Sequence, residues 1–309
     1  MNRAASAAAS AVVAIISKDQ KVDVAVAGAT VDVVLDCTPF FAQRCGQASD
    51  RGALYADGLA ATVTDAWWAV PELVVHRVHV DGGELRVGTD LTAEVDAERR
   101  LASCQAHSAA HVLQAALRDE LGEAAVRLDS ADEPGRAVLE LDGTLPWSAD
   151  IAGIVEDTAN DALRGDLTVA TRTMRLDEAL FSGALHPHGS TSTDTVRVVE
   201  IDGEWSREIC GGTHVLHTSQ IGLITLVDSG VTQSGRLRIE ALCGRAGLLR
   251  LHDDRDLVRA LSTTARVTRQ QLMTLIARMD TAGVQTIDLT EGIGVTAAHD
   301  DADETAAAP

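Results

Sequence analysis

The stretch DAERRLASCQAHSAAHVLQAALRDELG, residues 96–122, predicts a long helix and divides the chain into two differently patterned parts. Apolar residues recur through Val112, Ala116 and Leu121 at the spacing that places them on one face of an α-helix. Gly122 then supplies a natural helix stop. We therefore expect one part of the protein before this helix and a second part built around it.

The part before the helix has the pattern of β-strands. From about Lys21 onward, apolar runs such as VDVVLD (residues 31–36) and ELVVHRVHV (residues 72–80) are separated by turn sequences such as DGG (residues 81–83). Short strands separated by turns are typical of a small barrel. We predict a β-barrel domain in residues 1–95.

The long helix is followed by further strands and a second helix. The sequence predicts strands in residues 137–143, 195–203, 222–231 and 236–244, and a helix in residues 150–165. A long helix packed on an antiparallel sheet would form a second domain, residues 96–250. The predicted fold class is therefore α+β, with a small N-terminal β-barrel followed by an α/β domain.

The last part of the chain, residues 251–309, begins as a helix and ends in an acidic segment. Four apolar residues recur at helical spacing, namely Leu272, Leu275, Ile276 and Met279. This stripe indicates either internal packing or the seam of a homodimer. The final AAHDDADETAAAP is polar and acidic, so we predict that it is disordered.

Composition restricts the partners and the compartment. The formal net charge of −20 disfavours binding of nucleic acid through the average electrostatic field, so a local basic patch or a partner would be needed. The five cysteines are odd in number and widely spaced, which favours reduced thiols or metal ligands and a cytoplasmic location. The Ala-rich N-terminus loosely mimics a signal peptide, but it is weakly hydrophobic and lacks a clear cleavage site. No stretch reaches the roughly 20 apolar residues that span a bilayer, so no membrane partner is expected.

Two residue pairs suggest a metal site. His107 and His111 lie four residues apart on the predicted helix, so both imidazoles project from one face. Cys210 and His214 are equally spaced in EICGGTHVLHTSQIG, residues 208–222, where two glycines would let the backbone aim both side chains at one ion.

Nitrogen and sulfur donors suit Zn²⁺ better than Ca²⁺ or Mg²⁺. Each pair alone is weak evidence, and a chance histidine pair and an ordinary tight turn are the alternatives. Three further histidines serve as reserve ligands: His186, His188 and His217.

The two motifs together resemble a known family. HSAAHVLQAALRDELG, followed about a hundred residues later by EICGGTHVLHTSQIGLITLVDSGVTQSGRLRIEALCG, is similar to the editing domain of alanyl-tRNA synthetases and to its free-standing relatives, the AlaX proteins. VVLDCTPFFAQRCGQASDRG, residues 33–52, resembles the glycine-rich barrel motif of that family. The resemblance implies a zinc-dependent enzyme whose partner is aminoacyl-tRNA.

The family hydrolyses the ester that joins a wrong amino acid, typically Ser or Gly, to alanine tRNA. The resemblance places its zinc ligands at His107, His111, Cys210 and His214. It implies catalytic roles for Thr38, Gln47 and Cys210, with Thr38 matching a barrel threonine associated with the serine hydroxyl. Zinc in such a site could orient the amino group of the substrate or activate water.

Three departures from the family pattern point to a changed substrate. The barrel motif has Arg44 and Cys45 where small residues are usual, Leu128 stands where a glutamine is expected, and residues 189–193 lack a lysine. Cys45 is interpreted either as a small packed side chain or as a reactive thiol.

Two alternatives to editing therefore remain. In the first, an aminoacyl transferase passes the amino acid from tRNA to the amine or amide of a small-molecule acceptor in natural-product biosynthesis. In the second, a non-catalytic module binds tRNA.

Overall fold

The computed structural model describes residues 6–186 and 194–281, with side chains up to Arg278. His188, residues 189–193, the side chain of Met279 and the acidic end of the chain lie outside the described residues. The chain forms two compact units, Met1–Leu248 and Leu249–Pro309. The first is a mixed α+β structure that starts with an antiparallel barrel, which confirms the predicted fold class.

Nine strands make up the barrel region. They are β1 (Ala7–Ser17), β2 (Gln20–Val22), β3 (Val24–Val26), β4 (Thr30–Leu35), β5 (Gly52–Ala56), β6 (Leu59–Val70), β7 (Leu73–Gly82), β8 (Glu84–Arg86) and β9 (Asp90–Val95). Six of them are hydrogen-bonded in the order β1-β4-β7-β6-β5-β9, and β9 pairs back with β1. All these pairs are antiparallel, so the sheet closes on itself and has no free edge there.

The strands begin earlier than the sequence pattern indicated, although still inside the barrel domain predicted for residues 1–95. The Ala-rich run that loosely mimics a signal peptide is β1, whose first residues Ala7–Ala11 pair with β9 and whose later residues pair with β4. Its apolar side chains Val12 and Ile15 are buried in the barrel. The expected start near Lys21 was therefore wrong, because alanine gives a weak strand signal and the partner strands lie far along the chain.

The second half of this unit is built on one long helix. It contains α1 (Ala97–Leu121), β10 (Asp129–Ser130), β11 (Arg136–Asp142), α2 (Ala149–Arg164), β12 (Val169–Arg175), α3 (Leu176–Phe181), β13 (Thr195–Ile201), β14 (Ser206–Ile209), β15 (Ile224–Val231) and β16 (Arg236–Cys243), with a 3₁₀ turn at Thr218–Ile221. The strands form two antiparallel sheets, β10-β11-β16-β15 and β12-β13-β14. The core between α1, α2 and these sheets consists mainly of Ala, Val, Leu and Ile, in keeping with the 3% aromatic content of the chain.

Helix α1 has clear chemical ends. The Asp96 side chain accepts a hydrogen bond from the backbone N–H of Arg99 at 3.0 Å, which satisfies one of the free donors at the start of the helix. Gly122, with φ of 85°, ends it, and its N–H donates to the carbonyl of Arg118 at 2.9 Å. The helix is buried almost continuously from Ala106 to Leu117, so its histidines face the interior.

The described residues of the C-terminal unit, up to Thr281, are mainly helical. Helix α4 (Gly244–Thr264) begins at the end of the first unit, and α5 (Arg269–Thr281) follows. Leu272 of the predicted stripe is buried, whereas Ile276 is 48% exposed. Among the described residues, no helix is both long and apolar enough to cross a membrane.

Candidate metal centre

Four side chains converge in the interior of the first unit. His107 and His111 come from α1, while Cys210 and His214 come from the segment that follows β14. The candidate ligand atoms all lie within 4.8 Å of one another, and all four residues are buried. The structure thus brings together the two pairs that stand about a hundred residues apart in the sequence.

Outer contacts orient each imidazole toward the centre of the cluster. Nδ1 of His107 lies 2.7 Å from Oδ2 of Asp132, and Nδ1 of His214 lies 3.1 Å from the hydroxyl of Ser108. Nδ1 of His111 lies 3.1 Å from Oε1 of Glu208, a charge contact that does not have hydrogen-bond geometry. These contacts leave each Nε2 facing inward, which is the usual arrangement of metal-ligating histidines.

The inward-facing atoms fit a metal ion. Nε2 of His107 is 3.0 Å from Sγ of Cys210. Within the described part of the chain, both ring nitrogens of His111 and Nε2 of His214 are buried and lack hydrogen-bond partners. Such orphaned polar atoms are costly unless something satisfies them. Three nitrogens and one sulfur at this spacing could hold a metal ion with a preference for such donors.

The protonation states of His111 and His214 are compatible with metal ligation. Burial lowers the pKa of His111, despite the opposing effect of Glu208. Burial also lowers the pKa of His214 well below its usual range, with the neighbouring histidines adding to the effect. Both imidazoles therefore stay neutral near pH 7 and keep a lone pair for a metal.

The Cys210 thiol is held in its protonated form by its surroundings. A hydrogen bond with Cys45, followed by burial, raises its pKa well above the usual value for a thiol. Because the thiolate is the form that binds metals, metal uptake must release this proton.

A buried ion pair supports the cluster from behind. Nη2 of Arg127 donates to Oε2 of Glu208 at 2.9 Å, and both side chains are fully buried. Burial by itself would raise the pKa of Glu208, but His111 and Arg127 outweigh it and lower that pKa to about 2. Glu208 is thus an ionised carboxylate that links the ion pair to a candidate ligand.

The sequence interpretation of this region was wrong in one respect. Leu128, which was expected to replace a polar group near the site, is 48% exposed. The residue directed inward is its neighbour Arg127. Arg127, Glu208 and Asp132 were not singled out. The only local signal was at Arg127, a charge flanked by apolar residues, and Glu208 and Asp132 each have a charged neighbour as many surface residues do.

The two glycines of the motif have different surroundings. A Cβ atom on Gly212 would lie 2.2 Å from Nε2 of His107, so no side chain fits there. A Cβ atom on Gly211 would lie 3.1 Å from Nε of Arg44, which belongs to an exposed and flexible side chain. Neither glycine has a positive φ. The motif therefore requires glycine at position 212 for close approach rather than for a left-handed backbone.

Gln47 joins the barrel to the metal motif. Its Nε2 donates to the hydroxyl of Thr213 at 2.7 Å, and its Oε1 accepts from the backbone N–H of Thr213 at 2.8 Å. The Cys104 thiol also donates to that hydroxyl at 3.1 Å. Gln47 is fully buried, and these contacts fix the segment between Cys210 and His214.

Thr38 forms a dyad with a buried histidine. Nδ1 of His76 lies 3.0 Å from the carbonyl oxygen of Val33, which can only accept, so Nδ1 carries the proton. Nε2 of His76 then accepts from the Thr38 hydroxyl at 2.7 Å. Burial lowers the pKa of His76 and keeps it neutral. No sequence motif singled out His76.

The reserve histidines do not join the cluster in the described residues. Nδ1 of His217 lies 3.7 Å from Oδ1 of Asp166 at a partly exposed position, and His186 is not among the grouped ligands. His188 lies outside the described residues. The four buried donors are therefore the metal-ligand candidates that the geometry supports.

The fold and the site together define a class: an α+β protein in which a barrel adjoins a buried three-histidine, one-cysteine centre. Comparison with known proteins makes this more specific. Residues 2–99 match the model of class II (A) tRNA synthetases, and residues 196–240 match the second additional domain of threonyl and alanyl tRNA synthetases.

Close relatives are alanine–tRNA ligases. The enzyme of Clavibacter michiganensis is 41% identical over 258 residues, covering 84% of this chain and 29% of the relative. The enzyme of Cutibacterium acnes is 38% identical over 268 residues, covering 87% of this chain and 30% of the relative. The enzyme of Kocuria rhizophila is 42% identical over 255 residues, covering 82% of this chain and 28% of the relative. The chain is thus similar to one part of alanine–tRNA ligases, and it spans less than a third of the length of these relatives.

Proposed function

We propose that this protein acts on the ester bond of aminoacyl-tRNA, with Zn²⁺ bound by His107, His111, Cys210 and His214. The observation that carries the proposal is the set of three Nε2 atoms and one Sγ that face one another in the interior. Among the described residues, the Nε2 atoms of His111 and His214 are buried and have no hydrogen-bond partner. Similarity to alanine–tRNA ligases and to the second additional domain of threonyl and alanyl tRNA synthetases supports the ester as substrate. The chemistry that Zn²⁺ supplies in such a site is Lewis-acid orientation and polarisation of the substrate.

The proposed reaction is hydrolysis of mischarged tRNA in trans, with Ser or Gly on alanine tRNA as the substrate. An aminoacyl ester is already activated, so positioning of the reacting groups contributes most of what the protein must add. Gln47 contributes by fixing Thr213, and thereby the two ligands on either side of it. Arg197 fixes the same loop by donating to the carbonyls of Cys210 and Gly212 at 3.0 and 2.7 Å.

The Thr38 hydroxyl is suited to recognise a hydrogen-bond donor on the substrate. The hydroxyl donates its hydrogen to Nε2 of His76. One lone pair of its oxygen accepts a hydrogen bond from the backbone N–H of Phe40 at 3.1 Å. One lone pair remains, so Thr38 can accept from a serine hydroxyl or an ammonium group but cannot donate to it. This asymmetry supports the role of Thr38 in reading the amino acid.

The acidity of the protein limits how tRNA can bind. A net charge of −20 opposes contact along the phosphate backbone, so we propose that only the aminoacylated end engages the site. Arg44 is an exposed guanidinium beside Gly211 and is suited to contact a phosphate near that end.

Transfer of the amino acid to a small-molecule amine or amide is the second candidate. It is favoured by Arg44 and Cys45, which add charge and a nucleophilic atom to the turn beside Gly211. Hydrolysis and aminoacyl transfer both require the ester carbonyl to be held in position, because water and an amine would attack the same carbonyl carbon.

One experiment separates these candidates. Purified protein is incubated with a panel of charged tRNAs, with and without amine acceptors, and free amino acid and conjugate are quantified. Release of Ser or Gly from alanine tRNA without an acceptor supports hydrolysis, while turnover only with an acceptor supports transfer. Cys210→Ala should abolish either activity, and His252→Ala, a histidine change in the C-terminal unit, serves as the control. Binding of tRNA with its ester left intact would contradict both candidates.

A further inference from the structure

Cys45 combines a nucleophilic atom with a position directly beside the candidate ligands. Its Sγ accepts a hydrogen bond from the backbone N–H of Gly211 at 3.4 Å, and its thiol is hydrogen-bonded to that of Cys210. Gly211 and Cys210 belong to the metal motif itself. The thiol therefore lies where the proposed function would bring the aminoacyl ester.

The backbone at Cys45 is one that cysteine rarely adopts. Cys45 and Gly46 have φ values of 53° and 76°, and Arg44 and Gln47 are hydrogen-bonded to each other through their backbones on either side. Two successive positive φ values are typical of a type I′ turn, whose first central position favours Asn, Asp or Gly. A cysteine is strained there, and strained residues cluster at functional sites. Packing of a small side chain does not require this conformation.

Accessibility distinguishes Cys45 from the other thiols near the site. Cys210 is 3% exposed and Cys243 is fully buried, whereas Cys45 is partly exposed. Cys104 on α1 is also partly exposed, and its thiol donates to Thr213. Cys45 is thus one of two partly exposed thiols beside the metal motif, and it is the one whose sulfur accepts a hydrogen bond from Gly211.

A backbone donor lies directly beside the Cys45 sulfur. The N–H of Gly211 donates to it at 3.4 Å. This N–H is placed to stabilise negative charge that develops on sulfur during acyl transfer.

We propose that Cys45 is a covalent acyl acceptor in this site, carrying the aminoacyl group as a thioester between the tRNA and the final acceptor. The inference rests on the proposed function. In the first step the Cys45 sulfur bonds to the carbonyl carbon of the ester, the bond from that carbon to the ribose oxygen breaks, and the thiol proton ends on the ribose hydroxyl. In the second step a water oxygen or an amine nitrogen bonds to the carbonyl carbon, the carbon–sulfur bond breaks, and one proton of that nucleophile returns to sulfur.

The test detects the thioester directly. Protein under reducing conditions is mixed with aminoacyl-tRNA that it consumes, quenched in acid, and analysed by intact-mass and peptide mass spectrometry, while ester consumption is followed in the same reaction. We expect an aminoacyl adduct on the peptide that contains Cys45, and its loss on treatment with neutral hydroxylamine. Ester consumption should fall about a hundredfold in Cys45→Ser and Cys45→Gly.

Matched variants separate this inference from a structural role. Cys45→Gly suits the turn better than cysteine does, so it should fold and retain as much metal as the wild type. Cys37→Ala, which changes an exposed thiol, should leave adduct and rate unchanged.

Two results would overturn the inference and leave the proposed function intact. One is ester consumption at the wild-type rate by Cys45→Gly, and the other is the absence of any adduct during rapid wild-type turnover. Loss of metal from Cys45→Gly would instead identify Cys45 as a fifth ligand and would also overturn it. No consumption of any aminoacyl ester by the wild type would refute the proposed function itself.

Discussion

At the scale of single residues, the candidate centre depends on close contacts that local sequence does not reveal. His107, His111 and His214 were recognisable by spacing, and so was Cys210. Their outer partners were not, because Asp132 and Glu208 reach the imidazoles from strands and loops far along the chain. Three residue-level features lead to predictions that can be measured.

Gly212→Ala should empty the metal centre. The added Cβ would lie 2.2 Å from Nε2 of His107, so this buried ring must move away from its inward position. We expect stoichiometric zinc in the purified wild type and little in the variant, measured by plasma mass spectrometry.

Gly211→Ala is the matched control, because its Cβ would meet only the flexible end of Arg44 at 3.1 Å. It should retain the metal. Equal zinc contents in wild type, Gly212→Ala and Gly211→Ala would contradict the proposed ligand geometry.

Asp132→Asn should weaken metal binding without removing a ligand. The carboxylate lies 2.7 Å from Nδ1 of His107 and orients that ring. Loss of such an outer partner typically costs about 10–100-fold in metal affinity. Competition with a chelator of known affinity measures this change, and Asp129→Asn, at an exposed position in the nearby strand β10, serves as the control. An unchanged affinity would show that His107 does not depend on Asp132.

His76 should make stability depend on pH. Burial lowers its pKa in the folded protein below the value of about 6.5 in the unfolded chain. Above pH 6.5 both states are neutral and the effect vanishes. As the pH falls from about 6.5 through the folded pKa, the unfolded chain takes up a proton first, so the free energy of unfolding decreases.

Urea unfolding of wild type and His76→Gln between pH 7.5 and 5 tests this linkage, with the pH range chosen around the ordinary histidine value of about 6.5. The difference in stability between the two proteins should shrink or reverse at the acid end. An NMR titration in which the His76 ring is half-protonated near pH 6.5 would contradict the prediction.

At the scale of elements, α1 was predictable and β1 was not. The helix carries its own signals, since apolar spacing, the Asp96 cap and the Gly122 stop are all local. Strand β1 consists largely of alanine, and its pairing with β9 and β4 joins residues that are distant in sequence. Long-range pairing leaves little trace in the residues that make it.

Asp96→Ala should destabilise the unit that contains α1. Its carboxylate satisfies the N–H of Arg99, and loss of an N-cap typically costs about 1 kcal/mol. In a unit of this size that corresponds to a fall in Tm of about 2–4 °C. Differential scanning calorimetry measures it, and Glu98→Gln in the same first turn is the control. Equal Tm values for wild type and Asp96→Ala would show that the cap contributes nothing.

At the scale of the whole molecule, the candidate site belongs to the junction of barrel and helix. The N–H of Asp132 donates to the Gly46 carbonyl at 2.8 Å, and the Asp132 carbonyl accepts from Ala48 at 2.9 Å. The same residue orients His107 through its side chain. The barrel turn, the strand connection and the metal centre therefore form one hydrogen-bonded assembly within the first unit.

Metal removal should loosen that assembly. An ion that binds only the folded state stabilises it by about 2.7 kcal/mol when the free metal is 100 times Kd. We expect a chelator to lower Tm, and added Zn²⁺ to restore it. Cys210→Ala should show neither response, because one of the four donors is gone. A Tm that is insensitive to chelator in the metal-loaded wild type would contradict a structural contribution of the ion.

The sequence by itself determined the class of fold, the long helix and the four candidate ligands, because hydrophobic periodicity, helix stops and ligand spacing act over a few residues. Tertiary structure alone decided which groups orient those ligands, that Arg127 rather than Leu128 is directed inward, and that Thr38 is paired with His76. It also placed the Cys45 thiol against Cys210 and Gly211, 165 and 166 residues further along the chain. Such contacts arise only when a closed barrel and a helix–sheet layer pack together, and no local pattern of residue types encodes that packing.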